Sequence, residues 1–138
     1  MPTVDYTIVR PGIKYGSHPH HRDGNHNKSQ WRITVAQEEV TFTRSIDAKW
    51  LGEREGWGLH IVNKAVDYLG VAQDHYTQLF LAKFVDGAGT SEWHGYPANH
   101  VQHVQDIPDA KLLREWLEKN TLPRRKIRKL AKGQPCDL

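Results

Sequence analysis

TQLFLAKFV, residues 77–85, holds a run from Leu79 to Val85 that only Lys83 interrupts. Branched and aromatic residues at this density suit a central strand buried on both faces, and the Asp86-Gly87-Ala88-Gly89 that follows reads as loop. The rest of the chain is read outward from this strand. Upstream, LHIVNKAVDYLG (59–70) places Leu59, Val62, Ala65, Val66 and Leu69 on one helical face, with Gly70 as its stop. Before that, WRITVAQEEVTFTR (31–44) has apolar residues at Trp31, Ile33 and Val35, then at Val40 and Phe42. The change of parity implies a hairpin with strands near 31–35 and 40–44. VDYTIVR (4–10) alternates as a strand that Pro11-Gly12 ends, and residues 11–30 read as a long loop.

Downstream, residues 91–107 fit either a helical turn or an irregular strand. Pro108-Asp109 opens a helix that runs to Lys119 and buries Leu112, Leu113, Trp116 and Leu117. Thr121 is placed to cap a second helix, at about 122–133, that stops at Gly133. The expected fold is α+β. It is a single domain over residues 1–138 with a small, mainly antiparallel sheet (strand, hairpin, helix, central strand) and two C-terminal helices.

Composition narrows the function classes. With 38% apolar and 25% charged residues the chain has an ordinary soluble profile. No window approaches the roughly 18 consecutive apolar residues of a membrane span. MPTVDYTIVRPG lacks the basic-then-apolar order of a secretory leader. Cys136 is the only cysteine, which excludes an intrachain disulfide and a thiolate zinc knuckle. A cytoplasmic location is expected.

Seven of the 9 histidines gather in two places. In GSHPHHRDGNHNKSQW (16–31), His18, His20, His21 and His26 share a polar loop with Asp23. Imidazole is the commonest metal ligand, so these four are the candidate ligands for a divalent ion such as zinc. The alternative is a solvated loop. In SEWHGYPANHVQHVQD (91–106), His94, His100 and His103 are the candidate catalytic residues, with Glu92 or Asp106 available to fix a tautomer. A site drawing on both groups requires that they meet in space.

The net charge of +3 belongs to the C-terminal segment. LPRRKIRKLAKG (122–133) carries Arg124, Arg125, Lys126, Arg128, Lys129 and Lys132, and the remainder of the chain is slightly acidic. On a helix Arg124, Arg125, Arg128, Lys129 and Lys132 form one arc, with Ile127, Leu130 and Ala131 opposite. The arc suits a phosphate backbone or an acidic protein surface. It lacks the Asn, Gln or Ser that commonly accompany arginine in base readout, which favours phosphate contact over sequence recognition. The apolar face has no aromatic residue, which argues against a membrane surface. The expected function is therefore a small binding module whose basic helix contacts nucleic acid or an acidic partner. The alternative is a small histidine-dependent, metal-assisted hydrolase or nuclease.

Overall fold

Glycine at Gly58 lets a helix lie directly on a strand, and this contact organises one half of the molecule. The structure is a computed structural model describing residues 4–138; Met1 to Thr3, the start of the stretch read for a leader, lie outside it. β4 (Glu55–Val62) carries Gly58, where an added Cβ would sit 2.8 Å from Phe84 Cε2 and would also collide with Ser45 of α1 (Val35–Asp47).

The six-stranded sheet has the order β1 (Thr7–Arg10), β2 (Ile13–Tyr15), β9 (Glu92–Ala98), β8 (Leu81–Val85), β4, β5 (Ala65–Asp67). Its pairs are antiparallel apart from β2 with β9. A smaller sheet joins β3 (Gln30–Trp31), β6 (Gly70–Val71) and β7 (Gln78–Leu79). The fold is α+β as expected, with a larger and mixed sheet. The 77–85 run divides at Phe80: Leu79 serves the small sheet, and β8 is an interior strand of the large one.

α1 covers one face, where Phe42 meets Tyr15, Phe84 and Trp93. α2 (Ala110–Glu118) and α3 (Arg124–Ala131) cover part of the other, packing Leu112, Leu113, Trp116, Ile127 and Leu130 on Trp57, Leu59, Leu81 and Ala98. Asp109 caps α2 by accepting from Leu112 N at 2.8 Å. α3 lies inside its expected span, but Thr121 does not cap it: Pro123 is the N-cap, and Gly133 at φ +68° closes the end.

Two expected elements exchange places. The hairpin read at 31–44 is a short strand followed by α1. Thr34 and Gln37 form a reciprocal cap, and the buried residues are Glu38, Thr41, Phe42 and Ser45. That i, i+3, i+4, i+7 stripe is polar at three of its positions, while Val35 and Val40 are exposed, so hydrophobicity alone indicates the wrong period. The helix read at 59–70 is the β4–β5 hairpin followed by β6. Asn63 and Lys64 have φ of 50° and 67°, the two left-handed residues of a type I′ turn. The loop read at 11–30 contains β2 and a 3-10 turn, Pro19–His21. Residues 91–107 resolve into β9 and a second 3-10 turn, Val104–Asp106.

Candidate functional site

The face of the sheet that α2 and α3 occupy is laid out in rows. Leu59, Leu81 and Ala98 are register partners beneath the helices; next come Trp57, Lys83 and Tyr96, then Glu55, Val85 and His94. The middle row spends its polar atoms on the 104–106 turn. Trp57 Nε1 donates to Asp106 O at 3.0 Å, Lys83 Nζ donates to Gln105 O, and Tyr96 Oη donates to Asp106 Oδ1 at 2.7 Å. Asn99 N donates to the second Asp106 oxygen at 2.9 Å, so this buried carboxylate is fully engaged. Lys83, itself buried, also pairs with Glu55 at 3.2 Å.

The histidine loop is fastened to α1 through Arg22. Its Nη2 lies 2.7 Å from Oε1 of the fully buried Glu38, its Nε donates to Ser17 Oγ at 2.9 Å, and its Nη1 donates to Ile33 O at 2.9 Å. Tyr15 Oη donates to the other Glu38 oxygen. Anchored in this way, the loop brings its 3-10 turn against β9. The His18 ring lies 5.0 Å from His20, 6.0 Å from His21 and 5.7 Å from His94, centroid to centroid. The two histidine groups therefore meet, through His18, His21 and His94. His21 also stacks on Tyr96 at 5.4 Å with 18° between planes.

The hydrogen bonds assign tautomers. His18 Nδ1 accepts from His20 N at 3.2 Å, and His21 Nδ1 donates to Ser29 O at 2.9 Å, which leaves the His21 Nε2 lone pair free. Burial pushes the His21 imidazole down to about 4, helped by His18, Lys28 and His94 and opposed by the Ser29 bond. Burial also lowers His94 and His18, with His18 acting on the former and His20 and Lys28 on the latter. Three neighbouring imidazoles are thus neutral at pH 7. The Tyr96 phenol is held protonated, first by burial and then by its bond to Asp106.

A cavity of about 330 Å³ opens beside this group, lined among others by His21, Lys28, Tyr96, Asn99, His103 and Asp106. The expected site residues divide around it. His21 and His103 line it, and His18 and His94 stand with His21. His100 is buried elsewhere, its Nε2 2.7 Å from Gln134 O, where it ties down the segment after α3. His26 stacks on His75 at 4.9 Å. The four expected zinc ligands therefore do not form a set, and among the described residues no three His, Cys, Asp or Glu side chains form a group that could hold a metal. Tyr96, Asp106 and Glu38 matter more than their sequence context suggests. Asp106 carries a hint as a carboxylate near histidines, Tyr96 as an aromatic interleaved with them, and Glu38 as part of a carboxylate run.

The second candidate surface is α3. Arg124, Arg125, Arg128, Lys129 and Lys132 are all exposed, while Ile127 and Leu130 are buried. The ion pairs among the described residues are Arg10–Asp47, His20–Asp23, Arg22–Glu38 and Lys83–Glu55, and none involves these five cations. No helix among the described residues is long and apolar enough to cross a membrane.

No family model, curated protein or solved structure matches the chain, so its function is argued from its own geometry.

Proposed function

We propose that the protein is a binding module that holds a polyanionic chain, a nucleic acid in preference to an acidic protein, on the outward face of α3. The observation that carries this reading is the charge placement on that helix. Arg124 and Arg125 occupy its first turn, where the macrodipole disfavours cations, and the first turn contains no acidic residue. Arg124 with Arg128, Arg125 with Lys129, and Arg128 with Lys132 are like-charged pairs four residues apart, each mildly destabilising. Among the described residues these five cations have no ion-pair partner, so the outward face carries a self-repulsion that a phosphate backbone relieves. A cytoplasmic location goes with this reading, in a chain with one cysteine and no disulfide.

Binding of this kind releases counterions. With five phosphate contacts on duplex DNA, the affinity should fall with a log–log salt slope of about −4.5. Fluorescence anisotropy with labelled duplex DNA, single-stranded RNA and polyglutamate tests the reading. Replacing Arg124, Arg125, Arg128 and Lys129 together by alanine should abolish binding to both nucleic acids while circular dichroism stays unchanged. Retained binding with the same salt slope rejects α3 as the surface, and preference for polyglutamate replaces nucleic acid by an acidic protein partner.

A further inference from the structure

We propose that the cavity beside Tyr96 is a separate acid–base site for an anionic phosphate ester, with His21 as the base and His103 as the acid. Its free chemistry is narrow. Asp106 is spent on Tyr96 Oη and Asn99 N, so among the described residues no uncommitted carboxylate lines the cavity. The Ser29 hydroxyl, the only one besides Tyr96 on the lining, donates to Pro97 O at 2.8 Å, which removes it as a nucleophile. Asn99 Oδ1 accepts from Val101 N and Gln102 N.

What remains is His21 Nε2, the His103 ring, the exposed Lys28 ammonium, and the side-chain amides of Asn27 and Gln105, while Gln73 Nε2 donates to Asn27 O at 2.9 Å. Among the described residues neither the His103 ring nor the Lys28 ammonium has a hydrogen-bond partner in the protein. A pocket that offers cation, amides and two imidazoles, and no free anion, is complementary to an anionic ligand. Two imidazoles on one cavity are also what a phosphoester cleavage without a protein nucleophile requires: one to take a proton and one to give it.

The step balances as follows. The His21 Nε2 lone pair takes the proton of the attacking hydroxyl, whether a water's or the substrate's own, as that oxygen bonds to phosphorus. The P–O bond to the leaving alcohol breaks, and the departing oxygen takes the proton of the His103 imidazolium. Lys28 neutralises the phosphoryl charge, and the extra proton returns from His21 to His103 through solvent. His21 suits the base role because its Nδ1–H is committed to Ser29 O and its ring is clamped on Tyr96. His18 and His94 act as positioning residues behind it, and their proximity disfavours a charge on His21.

The test uses the full chain with excess EDTA and three probes: bis(p-nitrophenyl) phosphate, and single-stranded RNA and DNA of mixed sequence. EDTA-resistant cleavage of at least one probe is expected. His21→Asn and His103→Asn should each slow it on the order of 100-fold or more. Among the described residues the His103 ring has no hydrogen-bond or aromatic partner to lose, so its variant remains informative if the His21 variant is unstable. Lys28→Ala should raise KM more than it lowers kcat. No cleavage of any probe, cleavage abolished by EDTA, or wild-type rates in His103→Asn would overturn the proposal. The small diester does not need α3, so this result and the polyanion titration fail independently.

Discussion

His21 lies flat on Tyr96, and Tyr96 in turn holds Asp106 through its hydroxyl. The orientation of one imidazole is therefore set by a chain of contacts from Ser29 O, through both rings, to a buried carboxylate. Asp106 is also where the sheet grips the 104–106 turn that carries His103 into place. A single pair of side chains thus couples the two walls of the cavity.

Tyr96→Phe keeps the stack and removes the hydroxyl. Asp106 Oδ1 then loses its donor in a buried setting, which costs about 2–3 kcal/mol for a hydrogen bond to a charged group. Thermal unfolding should drop by roughly 5–10 °C. Adding Asp106→Asn, which supplies an amide in place of the unpaired charge, should recover part of the loss. An unchanged melting temperature in Tyr96→Phe would mean that this bond does not support the turn.

Stability should fall on acidification well before the carboxylates titrate. An unfolded histidine titrates near 6.5, whereas burial holds folded His21 at about 4. Between these values the unfolded chain binds more protons, so the stabilisation is complete above about pH 6.5 and is lost as the pH falls toward 4. The shift corresponds to at most about 3 kcal/mol. His18, His60 and His94, lowered chiefly by burial, act in the same direction. Asp23, Asp47 and Asp74 are held below the usual carboxylate value and lose their contribution only below about pH 3.9. Urea unfolding at pH 7.0 and pH 4.5 measures the effect. His21→Phe should make the dependence shallower by about one proton, and equal wild-type stability at both values would contradict the neutral cluster.

How much of this was legible in the chain depended on which residues carried the period. Where leucine and tryptophan fill the buried positions, as in α2, sequence and structure agree. α1 escaped because its inward stripe is Glu38, Thr41, Phe42 and Ser45, and nothing in a lone Glu38 announces that Arg22, sixteen residues earlier, will meet it. The same pair is what turns an apparent solvated loop into an anchored one. The meeting of His18 with His94 depends on β2 pairing parallel to β9, a long-range choice that no local pattern encodes. α3 was readable because amphipathicity and charge are both local.

The β4–β5 turn offers the sharpest check on the strand assignment. Lys64 sits at φ 67° and Asn63 at φ 50°. Asparagine tolerates this region, but a lysine there carries a Cβ penalty of roughly 1–2 kcal/mol. Lys64→Gly creates the Asn-Gly pair that type I′ turns favour, and Lys64 is exposed, so no packing is lost. Differential scanning calorimetry should show the melting temperature rising by a few degrees, equivalent to about 1 kcal/mol. A helix over 59–70 would respond in the opposite sense, because glycine in a helix interior costs about 1 kcal/mol. A fall in Tm would therefore reject the hairpin, and with it the strand that sets Trp57 and Glu55 beside Lys83.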